Sequence, residues 1–140
     1  MWNINKAIDH LQTFAQPHST VFCARYVREA IEAGGLTLAR HLSAKDYGSS
    51  LIAAGFVPLQ LKLPLTSPVF FDFSLSSDSP FQSGDVAIFE GTTLLPGGEN
   101  GHMQMFDGES WISDFVQPHF SPDPAFSGVK VKIYRYRDFV

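Results

Sequence analysis

The first third of the chain carries apolar residues at the spacing of amphipathic helices. In the first such segment, which ends before Pro17, they recur every three or four positions at Ile4, Ala7, Ile8, Leu11 and Phe14. Two further helices are predicted over residues 21–33 and 44–54, because each of these segments is followed by glycine. The pattern therefore predicts three helices in succession at the start of the chain.

Beyond residue 55 the apolar period changes from that of a helix to that of a strand. Leucines at 59, 61 and 63 alternate with polar residues. Further strands are predicted over 85–90, 102–106, 110–116 and 129–133, and connections over 64–83, 92–100 and 118–127. Asp107-Gly108 is a strong hairpin signal between two of these strands. Helices followed by strands predict an α+β fold, with N-terminal helices packed on an antiparallel β-sheet.

Composition and charge narrow the class of protein. The chain has 140 residues, 44% of them hydrophobic and 17% charged, which predicts a single globular domain spanning 1–140. The net charge is −4 and no run of Lys or Arg is present, so nucleic acid is not an expected partner. The single cysteine excludes an intramolecular disulfide and a cysteine-based metal cluster.

Targeting signals are not expected at the start of the chain. The segment MWNINKAIDH has no basic region followed by an apolar one, and no stretch approaches the ~20 apolar residues that span a bilayer. We therefore expect synthesis in the cytoplasm without a signal peptide, and no membrane insertion.

Cys23 is the first candidate for chemistry. It falls in the first turn of the second predicted helix, after the possible N-cap residues Ser19 and Thr20. Unpaired N–H groups and the helix dipole at this position favour a thiolate, which is the reactive form of cysteine. The alternative is a small buried core residue, and position alone does not separate the two.

His102 and Asp114 are the candidates that would complete a catalytic site. His102 opens a strand, and a cysteine nucleophile needs an imidazole as base. Asp114, on the partner strand, could orient that imidazole or be a solvated strand-end carboxylate. A two-residue turn would pair His102 with Ser113 and put Asp114 on the other face. Orientation by Asp114 therefore requires a hairpin loop of odd length or a bulge. If its carboxylate points to the opposite face, Gln117 or a backbone carbonyl becomes the candidate partner of His102.

Three weaker candidates would contact substrate. Gln104 lies two residues beyond His102 on the same strand face, where it could bind substrate or simply be exposed. Trp111 could line the cleft, although aromatic residues more often pack in the core. Ser19 and His18 are the alternative candidates for a second oxyanion donor beside the Cys23 amide. A metal ion and other cofactors are not expected, because no third ligand accompanies a histidine–aspartate pair.

Four segments together resemble a known superfamily. They are STVFCARYVREA (19–30), SGDVAIF (83–89), GHMQMF (101–106) and WISDFVQ (111–117). The first three resemble the cysteine helix and the following strands of the NlpC/P60 and CHAP superfamily. The fourth more narrowly resembles peptidoglycan amidase effectors of type VI secretion systems. The similarity runs from about residue 15 to 136.

The resemblance implies a papain-like (NlpC/P60) fold and a catalytic triad. In it Cys23 attacks the substrate, His102 acts as base and then acid, and Asp114 orients His102. The implied reaction is cleavage of peptide-stem amides of peptidoglycan, at the bond from D-glutamate to diaminopimelate. Many members carry Asp before the nucleophile, where this chain has Phe22, so the branch and its bond stay open.

The resemblance also implies partners and a place of action. An effector of this kind is exported by the secretion machinery, acts in the periplasm of target bacteria and has a cognate immunity protein. Two alternatives remain from the sequence. The same chemistry could serve a phage lysin or a housekeeping wall hydrolase, or a papain-like domain could act on or bind a host protein.

Overall fold

The computed structural model describes residues 1–60 and 80–140. Its helices are α1 (Ile4–Phe14), α2 (Cys23–Ala33) and α3 (Gly48–Ala54), and its strands are β1 (Phe56–Pro58), β2 (Val86–Phe89), β3 (His102–Phe106), β4 (Trp111–Ile112) and β5 (Val131–Tyr136). The strands form one antiparallel sheet in the order β1-β5-β2-β3-β4. The predicted α+β class, with helices first and an antiparallel sheet after them, is confirmed.

The helices pack on one face of the sheet. The apolar stripes of α1 and α2 meet side chains from β2, β3 and β4 in a core that includes Leu11, Val27, Ile31, Val86, Met103, Met105 and Ile112. Fully burying such a side chain contributes roughly 1.5–3 kcal/mol. The end of α2 is tightly enclosed, since a Cβ on Gly34 would clash with the Trp2 indole nitrogen. This packing places the start of α2 against β3.

An aromatic cluster covers the opposite face of the sheet. Its members include Phe81, Phe89, Phe106, Trp111, Phe120 and Phe126. Phe81 and Phe120 stack with ring centroids 5.7 Å apart. Loops rather than helices supply much of this cluster, because the chain after β4 folds back over the sheet. Both faces of β3 are therefore buried, as are all five of its residues.

The hairpin between β3 and β4 differs from the prediction. Phe106 pairs with Trp111, so the loop has four residues, and the Asp107 carboxylate accepts hydrogen bonds from the amides of Glu109 and Ser110. An odd number of loop residues was required to put Asp114 on the same face as His102, and this loop has an even number. β4 also ends at Ile112 rather than at residue 116. The chain turns there, and Asp114 lies beyond the strand.

Other boundaries shift by a few residues. The N-cap of α2 is Phe22, without a side-chain hydrogen bond, so Ser19 and Thr20 do not cap this helix. The third predicted helix consists of a 3-10 turn, Ala44–Asp46, followed by α3. Strand β1 begins before the predicted alternation, whose later leucines, like most of the 64–83 connection, lie outside the described residues. Within 1–60 and 80–140, the helices are too short or too polar to cross a bilayer.

Candidate active site

Cys23 and His102 line one cleft of about 760 Å³. Cys23 is the first residue of α2, and His102 is the first residue of β3. The cleft walls come from the start of α2, from residues 40–42, and from the loops around 95–101 and 122–126. The packing of α2 on β3 thus places both predicted catalytic residues in the lining of the same cleft.

The Cys23 thiol lies in a set of backbone amides. The backbone amide of Met103, next to His102 in sequence, acts to lower the pKa of this thiol, as do the amides of Ala24 and of Cys23 itself. Burial nevertheless raises the pKa of this thiol to about 11, and the nearby charge of Asp114 acts in the same direction. The expected thiolate at the helix start is therefore not the resting form, because desolvation outweighs the amide hydrogen bonds.

His102 is neutral at rest for the same reason. Burial lowers the pKa of its imidazole to about 4, against the opposing effects of Gln117, Asp114 and Gln104. Its ring lies near Phe89 and Phe126, with centroid distances of 5.6 and 5.8 Å. The site at neutral pH thus contains a neutral thiol and a neutral imidazole rather than an ion pair.

Gln117 holds the imidazole. Its Oε1 lies 2.9 Å from His102 Nε2, while its Nε2 donates to Gln104 Oε1 at 2.8 Å and to the Phe120 carbonyl at 3.2 Å. Because both amide hydrogens of Gln117 point to acceptors, Oε1 faces the histidine and accepts from its Nε2–H. The other ring nitrogen, Nδ1, is then the basic one.

Asp114 anchors the chain before the nucleophile instead of the histidine. Its Oδ2 accepts hydrogen bonds from the Thr20 hydroxyl at 2.9 Å, from the Thr20 amide and from Ser19 Oγ at 3.4 Å. Oδ1 accepts from Ser113 Oγ at 3.1 Å. The expectation that Asp114 hydrogen-bonds His102 is corrected, because the four-residue hairpin loop and the early end of β4 direct its carboxylate towards residues 19–20.

The segment between this anchor and Cys23 has a constrained backbone. Val21 has φ 65°, in the left-handed region that a β-branched residue rarely adopts. Such a conformation costs about 1–3 kcal/mol and persists where the surroundings impose it. Here the Asp114 hydrogen bonds lie on one side of Val21 and helix α2 begins on the other. The side chains of Val21 and Phe22 are exposed at the cleft.

Two solved structures are similar to this chain over nearly its whole length. One is the native type VI effector–immunity complex Tae3–Tai3 from Ralstonia pickettii, with 39% sequence identity, a TM-score of 0.74, and coverage of 97% of this chain and 99% of that one. The chain belongs to the Tae3 family of type VI effectors. The selenomethionine form of the same complex also has 39% identity, with coverage of 92% and 98% and a TM-score of 0.72.

Membership in the Tae3 family confirms the narrower resemblance, to type VI effectors. No protein-family model and no curated protein matches the chain. The family assignment therefore rests on sequence identity and shared fold together, over almost all of both chains. The α+β architecture is that of the Tae3 structure, consistent with a papain-like fold.

The three predicted substrate-binding residues differ in their position relative to the cleft of this Tae3-family chain. Ser19 lines the cleft. Gln104 is fully buried and donates to the Phe120 carbonyl at 2.9 Å, so it supports Gln117 rather than meeting substrate. Trp111 is fully buried in the aromatic cluster and does not line the cleft. Both corrections have one cause, since loops cover the face of the sheet that carries Gln104 and Trp111.

Gln117, the alternative to Asp114 as the partner of His102, is the residue that hydrogen-bonds its ring. A strand continuing to residue 116 would have carried Gln117 away from His102. Instead the Ser113 amide donates to the Phe115 carbonyl, and the Gln117 amide donates to the Trp111 carbonyl at 2.9 Å. This turn brings the Gln117 side chain back over β3.

Among the described residues, no group of three His, Cys, Asp or Glu side chains could hold a metal ion.

Replacing Gln117 by Glu is expected to raise the pKa of His102 from about 4 towards neutrality. A carboxylate at the same position stabilises the imidazolium, and one pKa unit corresponds to about 1.4 kcal/mol. Titration of the ring resonances by NMR measures the shift. Glu109→Gln, a change in the hairpin loop, is the control. An unchanged His102 pKa in Gln117→Glu would contradict the contact.

Proposed function

We propose that this protein is a peptidoglycan amidase that hydrolyses stem-peptide amides, at the bond from D-glutamate to diaminopimelate, with Cys23 as nucleophile and His102 as base. The observation that carries the proposal is the shared cleft, which Cys23 at the start of α2 and His102 at the start of β3 both line. A thiol at a helix start beside an imidazole is the arrangement that nucleophilic acyl transfer requires. Membership in the Tae3 effector family supports it.

The neutral resting pair defines how the first step proceeds. As the sulfur attacks the amide carbonyl, His102 Nδ1 takes the thiol proton, because Nε2 already carries one. The imidazolium then gives this proton to the leaving amine as the C–N bond breaks, which leaves a thioester on Cys23. Water, deprotonated by the same imidazole, hydrolyses the thioester and restores the thiol. The Cys23 amide is one donor to the carbonyl oxygen.

Gln117 and Asp114 have separate roles in this scheme. Gln117 is a positioning residue that keeps His102 in the tautomer with a basic Nδ1. Asp114 is a positioning residue for Ser19 and Thr20, which precede the nucleophile. Its charge also acts on His102 through space in the direction that favours imidazolium. Asp114 thus supports catalysis without a direct hydrogen bond to the ring.

The biological context follows from the family. The two similar structures are effector–immunity complexes, and we infer that a cognate immunity protein binds this chain as well. As a type VI effector, the protein is exported by the secretion machinery, and its substrate lies in the periplasm of target bacteria. We infer one catalytic domain over residues 1–140, because both structural matches span nearly the whole chain. Family membership favours the effector over a lysin or a housekeeping hydrolase.

Digestion of purified peptidoglycan tests the proposal. Incubation with sacculi is expected to release fragments whose masses, together with a newly labelled diaminopimelate amine, place the cut after D-glutamate. Because the chain has one cysteine, protein alkylated with iodoacetamide to a mass increase of one adduct is modified at Cys23 and serves as the matched control. Equal digestion by alkylated and untreated protein, or no digestion by either, would refute the proposal.

A further inference from the structure

The lining of the cleft contains several arginines, although the net charge of the chain is −4. Among the described residues that line it, three are arginines, Arg25, Arg28 and Arg40, and one is an acid, Asp123. The Asp123 carboxylate accepts a hydrogen bond from the Ala125 amide at 2.9 Å, within its own loop. An arginine of this lining that has no acidic partner of its own attracts a negatively charged group of the substrate.

Two of the three arginines are already paired. Arg25 Nε lies 2.9 Å from Glu29 Oε1, and Arg28 Nη1 lies 2.8 Å from Glu32 Oε1. Both pairs join residues four apart on α2, where opposite charges stabilise a helix. These two guanidinium groups therefore have acidic partners before any substrate enters.

Arg40 differs from them, because it forms no ion pair or hydrogen bond with any residue in 1–60 or 80–140. Its side chain is exposed at the cleft, between the half-exposed chain that leaves α2 and the 3-10 turn at Ala44–Asp46. An arginine presents a planar set of donors that matches a carboxylate in a two-point contact. Among the described arginines of the cleft, Arg40 is thus the one whose guanidinium is available to a ligand.

The backbone on both sides of Arg40 is held in place. Ser50 Oγ donates to the Ala39 carbonyl at 3.0 Å and lies 2.6 Å from His41 Nε2. The His41 amide donates to the Tyr47 hydroxyl at 3.2 Å, and the two rings meet edge to face. A fixed backbone lowers the entropic cost of using the side chain for binding.

We infer that Arg40 is the specificity-determining residue of this cleft and that it binds a carboxylate next to the scissile amide. The inference rests on the proposed function and deepens it by naming the substrate chemistry that the cleft selects. A stem peptide has two such groups, the α-carboxylate of γ-linked D-glutamate and the carboxylate of diaminopimelate beside the cleaved nitrogen. Arg40 supplies binding and orientation, and it takes no part in the proton transfers.

Kinetics on three synthetic stem peptides test this role. One peptide has both carboxylates free, one is amidated at D-glutamate, and one is amidated at diaminopimelate. The wild-type protein is expected to cleave one amidated peptide about tenfold or more less efficiently, mainly through KM. Arg40→Gln is expected to abolish that preference, and Arg40→Lys to keep part of it. Whichever amidation matters identifies the bound carboxylate.

Arg25→Gln is the matched control, because Arg25 lines the same cleft but has Glu29 as its partner. It is expected to keep the wild-type preference among the three peptides. Thermal melting checks that each variant is folded. Because the Arg40 side chain is exposed, its substitution is expected to leave the fold intact. If Arg40→Gln keeps the preference among the three peptides, or if the wild-type protein shows no such preference, the inference about Arg40 is overturned and the proposed function still stands. No cleavage of any peptide by the wild type would refute the proposed function and this inference with it.

Discussion

Cys23→Ala is expected to lower the rate of peptidoglycan hydrolysis by at least roughly a thousandfold, and to leave the fold intact. Removing the nucleophile of a comparable catalytic site costs on the order of 10⁶ in kcat, as in subtilisin. The thiol is partly buried at the edge of the helical core, so its loss should cost about 1 kcal/mol or less of stability. Fragment release from sacculi measures the rate, and thermal melting measures the fold.

His102→Ala is expected to be equally inactive, but less stable than Cys23→Ala. The imidazole is buried between Phe89 and Phe126, and its loss leaves a cavity and an unpaired Gln117 carbonyl. Together these cost about 2–4 kcal/mol. Activity of this variant is therefore compared with wild type at a temperature well below its own melting point.

Asp114→Ala should retain more activity than either of these variants while losing stability. Its carboxylate is fully buried and accepts hydrogen bonds from Ser19, Thr20 and Ser113. Those donors would be left without their acceptor, which costs about 1–3 kcal/mol each when the group stays buried. A Cys23→Ala protein as active as wild type would refute nucleophilic catalysis by Cys23, whatever the other two variants do.

Directed to the periplasm by an added signal peptide, the protein is expected to lyse a bacterium that expresses it. Kept in the cytoplasm, it is expected to be harmless. The proposed substrate lies outside the inner membrane, so only the first form meets it. The single cysteine needs no disulfide partner, so folding does not separate the two compartments. Culture turbidity and viable counts after induction measure the difference.

Each form is compared with its own Cys23→Ala version, which tests compartment and catalysis together. The periplasmic Cys23→Ala protein should leave the cells intact at the same expression level. Coexpression of a periplasmic immunity protein, once identified, should protect cells from the active form. Toxicity confined to the cytoplasmic form would contradict a wall substrate and favour the alternative in which the protein acts on a host protein.

Much of the fold could be predicted from local patterns. The 3.6-residue period located α1, the glycines after α2 and α3 marked their ends, and alternation together with Asp107-Gly108 located the β3–β4 hairpin. These signals are local, because helix spacing and turn chemistry involve residues a few positions apart. Cys23 and His102 were also identifiable as a pair, since their motifs occur in the order and spacing of a known superfamily.

What only the tertiary structure decided concerns the surroundings of those two residues. The thiol pKa depends on burial, which no single motif encodes, and burial outweighs the helix-start effect that the sequence predicted. Gln104 was expected near the substrate because alternation along a strand shows that it shares a face with His102. Alternation does not show whether loops 118–128 cover that face.

The tertiary structure also decided which side chain hydrogen-bonds His102. The sequence placed Asp114 about a dozen residues after His102, but its orientation depended on the loop length and on where β4 stops. The Gln16 amide donates to the Asp114 carbonyl at 2.7 Å, and Thr20 donates to its carboxylate, so contacts nearly a hundred residues apart turn the chain after Ile112. The sequence shows which residue types are present at 114 and 117. The orientation of the Asp114 and Gln117 side chains results from these long-range hydrogen bonds.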